Sequence, residues 1–98
     1  MSATSHFNQL TEAEAERLAF LLEEMGEAQQ AIGKILRHGY ESRHPDGGPT
    51  NRMALGNELG DVYHAMARVF EAGDLDEDAV IQHAVGKVRS AGKYMHHQ

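Results

Sequence analysis

Asn57-Glu58-Leu59-Gly60-Asp61-Val62 is answered, 34 residues earlier, by Glu23-Glu24-Met25-Gly26-Glu27-Ala28. In each stretch two carboxylates sit three residues apart inside a pattern that otherwise reads as an apolar helix. Residues three apart share one helix face, so each pair projects as a single negative patch. The helical neighbours of Glu24 are Phe20, Ala28, Ala31 and Ile35, and those of Glu58 are Ala54, Val62, Ala65 and Val69. A carboxylate among such neighbours loses hydration, at a cost that needs a compensating partner. None of these neighbours is a Lys or Arg. A hard cation with oxygen ligands is the simplest compensation.

The likeness extends beyond the acids. A shift of 34 residues carries Leu21, Glu24, Gly26 and Ala31 onto Leu55, Glu58, Gly60 and Ala65. It also carries Glu27 onto Asp61, and Ile32, Lys34, Ile35 and Leu36 onto Met66, Arg68, Val69 and Phe70. Two helices with one pattern can pack antiparallel about a local pseudo-twofold. The two acid pairs would then meet face to face.

Bulk properties narrow the class. A chain of 98 residues is expected to form one domain, residues 1–98, with a modest core if it stays monomeric. It has no cysteine, so neither disulfides nor thiolate metal sites are available, and a reducing, cytoplasmic setting is compatible. No basic region followed by an apolar run marks a signal peptide, and no apolar run is long enough to span a bilayer. The formal charge of −6 argues against a nucleic-acid polymer as partner, though not against a small phosphorylated ligand held through a divalent cation.

Along the chain, residues 1–10 have no clear period and read as an arm, in which Phe7 and Leu10 are candidates to pack on a partner and His6 is solvated. Thr11 with Glu14 fits a capping box, and the helix it opens runs to about His38, before Gly39. Leu18, Leu21, Leu22, Met25, Ala28, Ile32, Ile35 and Leu36 give that helix one wide apolar stripe. Residues 39–50 are dense in turn formers and long for a helix connection, which favours a functional or mobile loop. Tyr40, Arg43 and His44 are its candidates to contact a base or sugar; a plain surface loop is the alternative. Thr50 or Asn51 caps a second helix running to about Glu71. The acidic run from Asp74 to Asp78 lacks EF-hand spacing and reads as negative residues at the start of a third helix. That helix is expected over about Glu77 to Met95, with Lys87, Arg89 and Lys93 making its second half basic. His96 and His97 read as a solvated tail or a subunit contact.

Glu24-x-x-Glu27 followed by Glu58-x-x-Asp61, with a basic later helix, resembles the E-x-x-E…E-x-x-D signature of the MazG-like, all-α nucleoside triphosphate pyrophosphatases. The resemblance covers about residues 18 to 95. It implies three main helices per chain in a bundle completed by homo-oligomerisation, as a homodimer or homotetramer. It implies that Glu24, Glu27, Glu58 and Asp61 bind Mg²⁺, with Mn²⁺ as a substitute, and that a nucleoside triphosphate is hydrolysed between the α and β phosphates. Glu27, or else Glu24, would be the general base. Lys87, Arg89 and Lys93 would offset phosphate charge. Lys34 and Arg68, matched in the repeat beside Glu27 and Asp61, are expected to contact phosphate, and Tyr40 and Arg43 in the loop complete the expected substrate contacts. The gap between the two acid motifs is long for the family because of residues 39–50, so the particular substrate does not transfer. Phosphoribosyl-ATP or a modified nucleotide is an alternative substrate. A non-catalytic helical dimer that binds a protein through its acidic surface is an alternative of another class; loss of one acid would mark it, and all four are present.

Overall fold

The computed structural model describes residues 8–98, so the expectations about His6 and Phe7 fall outside it. Helix α1 spans Glu12–His38. The capping box forms as the spacing predicts: Thr11 Oγ1 accepts from the Glu14 amide at 3.1 Å, and Glu14 Oε1 accepts from the Thr11 amide at 2.8 Å. At the other end Gly39, with φ of 87°, closes the helix through a 2.7 Å bond from its amide to the Ile35 carbonyl.

Helix α2 spans Asn51–Glu71. Of the two expected caps, Thr50 is the one that acts, its Oγ1 accepting from the Met53 amide at 3.2 Å. Asn51 instead donates through Nδ2 to the Gly39 carbonyl at 3.1 Å, joining the two ends of the connecting loop. The loop is further closed by an isolated antiparallel bridge between Arg43 and Thr50. The Arg52 amide also bonds the Tyr40 carbonyl at 2.8 Å. Its turn uses Gly47 and Gly48 at φ of 99° and 100°, a region that side chains with a Cβ rarely enter. The long loop is therefore a built structure.

Helices α1 and α2 form an antiparallel pair. The start of α1 meets the end of α2 where Arg17 grips Asp74 with two hydrogen bonds of 2.6 and 3.0 Å. Between the helices lie Ala28, Ala31, Ala65 and Val69, the only buried apolar residues among those described. Small side chains let two helices approach closely, since less bulk separates the axes. Ala31 and Ala65 are two positions that the 34-residue shift superposes, so matched positions of the repeat are both buried at the interface.

Helix α3 spans Glu77–Ser90. Asp76 caps it, accepting from the Asp78 amide at 3.0 Å, and Glu77 and Asp78 occupy its first turn. This is the helix-start role expected of the acidic run. The sequence pattern carries the helix to Met95, but the α-helix stops at Ser90 and tightens into a 3₁₀ turn over Ala91–Tyr94. An end with no packing partner and with Ser90 and Gly92 in it has little to hold α-helical geometry.

The fold is all-α, yet α3 makes no helix–helix interface with α1 or α2, and none of its residues is buried. Val85 and Val88 are 61% and 81% exposed. The stripe on α1 is also only partly used, with Leu22 and Leu36 at 74% and 83% exposure. One partner helix covers one sector, and the stripe is wider than that. The shape is accordingly open: the radius of gyration is 17.5 Å, against about 13 Å for a compact chain of this size. Among the described residues no helix is long and apolar enough to cross a membrane.

Candidate metal centre

Antiparallel packing sets Glu27 across from Glu58 and Glu24 across from Asp61. One carboxylate oxygen from each of these four residues lies within 4.8 Å of all the others. The two motifs that are 34 residues apart in sequence thus become one cluster, as the pseudo-twofold predicts.

The cluster is unbalanced as it stands. Glu24 Oε2 and Glu58 Oε2 are both inaccessible and without any hydrogen-bond partner. A buried polar oxygen without a partner is costly, and native structures rarely tolerate it unless a ligand or ion completes it. Burial, and then the neighbouring Glu27 charge, raises the pKa of Glu24; the same two causes, in the same order, raise that of Glu58. Asp61 adds to both shifts. No basic side chain forms an ion pair with any of the four acids among the described residues. Four carboxylates converging on one point, two with orphaned buried oxygens, fit the donor set of a hard divalent cation.

Two cavities flank the acids along the helix pair. One, of about 210 Å³, is lined by Glu27 and Glu58 together with Lys34, His44, Gln30 and Asn51. Lys34 thus lines a cavity together with two of the acids. Of the three loop residues proposed to touch substrate, only His44 lines this cavity. Tyr40 lies under the Arg52 guanidinium, 4.3 Å from its ring centroid, and Arg43 donates to the Gly48 carbonyl at 3.2 Å. Both serve to shape the loop. The His44 ring is oriented by the Asp46 amide, which donates to its Nδ1 at 3.1 Å. In the neutral ring this leaves the proton on Nε2.

The second cavity, of about 600 Å³, is lined by Arg17, Phe20, His64, Arg68, Glu16 and Glu71. Phe20 and His64 meet edge to face, centroids 5.7 Å apart. Sequence reading missed Arg17 and His64 here. Their signal was available: Arg17 lies seven residues before Glu24 and His64 three after Asp61, both spacings that return to the same helix face. Lys87, Arg89 and Lys93 are not brought to the acids by packing within one chain, because α3 and the turn after it stand away from α1 and α2. The Lys93 ammonium lies instead 5.8 Å from the Tyr94 ring centroid.

No protein-family model matches this chain, and no curated protein or solved structure matches it either.

Proposed function

We propose that this protein is a Mg²⁺-dependent nucleoside triphosphate pyrophosphohydrolase that releases pyrophosphate and a nucleoside monophosphate. The observation that carries the reading is the pair of buried, unpartnered oxygens on Glu24 and Glu58 inside a four-carboxylate cluster. The resemblance of the two acid motifs to the MazG-like pattern supplies the reaction class. Glu24, Glu27, Glu58 and Asp61 would hold the cation. Bound there, Mg²⁺ supplies charge neutralisation at the triphosphate and Lewis acidity at the attacked phosphorus.

The chain's own groups do the rest. Glu27 lines the cavity that also holds Lys34 and His44, and in this reading it takes a proton from the attacking water. Glu24, whose basicity is raised by burial, is the second candidate. The Lys34 ammonium offsets charge developing on the leaving phosphates.

The working form is an oligomer of this chain, a homodimer or homotetramer. The exposed stripe of α1 and the uncovered apolar side of α3 support this, since one chain leaves both in water. Lys87, Arg89 and Lys93 contribute to a site only if association of copies carries α3 to a neighbouring acid cluster.

The test is a panel of nucleotides incubated with purified protein and Mg²⁺, scored for pyrophosphate against single phosphate. Pyrophosphate release that chelation abolishes is the expected result. Single phosphate would place cleavage at the β–γ bond and refute the reaction. No turnover from any nucleotide would refute the enzyme reading.

A further inference from the structure

The acid cluster lies between two cavities of different chemistry, and the difference gives the helix pair a direction. Starting from Glu24 and Asp61, the face continues toward the N-terminus of α1 and the C-terminus of α2. It meets Phe20 and His64 one turn on, then Arg17 and Arg68. Starting from Glu27 and Glu58 and going the other way, it meets Lys34 and the loop residues His44 and Asn51.

The larger cavity is a poor place for a polyphosphate. Arg17 is committed to Asp74 by its two hydrogen bonds. That leaves Arg68 as the uncommitted guanidinium against the carboxylates of Glu16 and Glu71. The fixed charge there is balanced or negative, and a phosphate tail would meet repulsion. What the cavity does offer is an aromatic pair, a guanidinium plane, and acceptors and donors at its edge. Those features suit a planar heterocycle, which stacks on rings and guanidinium planes and pairs through its rim.

The smaller cavity differs once a cation neutralises the Glu27 and Glu58 carboxylates that also line it. Lys34 then leaves it positive, and Gln30, Asn51 and the Nε2 of His44 add hydrogen-bond donors, with no aromatic ring among them for a base to stack on other than the imidazole. Lys34 lines the smaller cavity and Arg68 the larger.

We propose that the nucleotide lies along the α1–α2 face in one orientation. The nucleoside occupies the Phe20–His64–Arg68 cavity, and the leaving pyrophosphate occupies the Lys34–His44–Asn51 cavity. The inference rests on the pyrophosphohydrolase reading, because it assumes that the bond broken lies over the acids between the two. It makes His64 and Arg68 the residues that bind the base end, and Lys34 and His44 the residues that bind the leaving group.

The experiment titrates a nucleoside monophosphate and inorganic pyrophosphate separately into full-length protein with Mg²⁺ by calorimetry. It uses the wild type, His64→Ala and Lys34→Ala; both side chains are exposed, so both variants are expected to fold. His64→Ala is expected to weaken monophosphate binding roughly fivefold to a hundredfold, the range for loss of one stacking contact, and to leave pyrophosphate binding unchanged. Lys34→Ala is expected to do the reverse. The same variants assayed with triphosphates should separate, His64→Ala raising KM in a base-dependent way and Lys34→Ala lowering turnover for every base.

The opposite pattern, or no effect of either variant on binding, overturns the orientation. If the wild type still releases pyrophosphate in that case, the proposed function stands and only the orientation falls. A wild type that neither turns over a triphosphate nor binds either product overturns both.

Discussion

Glu58 concentrates the strain of the site: one of its oxygens is buried without a partner, and the charges of Glu27 and Asp61 press on it. Replacing it by glutamine removes a charge while keeping its shape. Glu58→Gln is therefore expected to melt at a higher temperature than the wild type in metal-free buffer. The same variant is expected to lose Mg²⁺-dependent turnover by at least about a hundredfold, since even groups that merely orient metal ligands cost 10- to 100-fold. Calorimetry and a pyrophosphate assay on one preparation check both halves; retained turnover would remove Glu58 from the site. A pH dependence follows from the same physics. Glu24 and Glu58 have folded-state pKa values above their ordinary 4.5, so the native state holds more protons than the unfolded chain in that window. Stability of the metal-free protein should fall as pH rises from 4.5 through the raised values. Asp74 acts oppositely: Arg17 holds its pKa below the ordinary 3.8, and its contribution is lost only as pH falls below that value. Melting curves without metal should thus improve on mild acidification from neutrality. Added Mg²⁺ should raise the melting temperature most at neutral pH, where no proton competes for the carboxylates.

The α1–α2 hairpin sets the spacing of the four acids through its contact residues and its caps. Ala65 is fully buried at the contact. A larger side chain there must push the helices apart. Ala65→Leu is expected to cost about 1–3 kcal/mol, the usual penalty for overpacking, and to weaken Mg²⁺ binding because the two acid pairs separate. Denaturant melts and a Mg²⁺ titration of the variant check this; unchanged metal affinity would mean that the cluster does not depend on helix spacing. Thr50 is buried at the junction of loop and α2. Loss of its cap in Thr50→Ala should cost about 1 kcal/mol. Hydrogen exchange should then rise first in the opening turn of α2, next to the cavity that holds Lys34 and His44.

For the whole molecule, the open shape and the uncovered apolar residues of α1 and α3 support the proposed association of copies. Sedimentation equilibrium is expected to give a mass two or four times the 10.8 kDa of one chain. Val85→Asp places a charge in the exposed apolar side of α3 and should shift the equilibrium toward monomer, with a melting temperature that is lower and loses the concentration dependence expected of the oligomeric wild type. A wild type that sediments as a monomer at micromolar concentration would overturn the oligomer.

The sequence by itself determined the local structure and the candidate ligands. Period, caps and turn residues act over a few positions, so Thr11 with Glu14, Gly39, Thr50 and the acidic start of α3 could be read directly. The 34-residue repeat also placed Glu24, Glu27, Glu58 and Asp61 on matching faces, which is why their convergence was legible. Only the tertiary structure decided which polar groups share a space. That Arg17 is spent on Asp74, that Tyr40 sits under Arg52 while His44 opens to the acids, and that α3 stands apart all depend on contacts between distant segments. The pattern of α3 marks an apolar side in need of cover, but an amphipathic stripe has no address: burial is non-directional, and the same residues serve a neighbour in the chain or a second copy equally well.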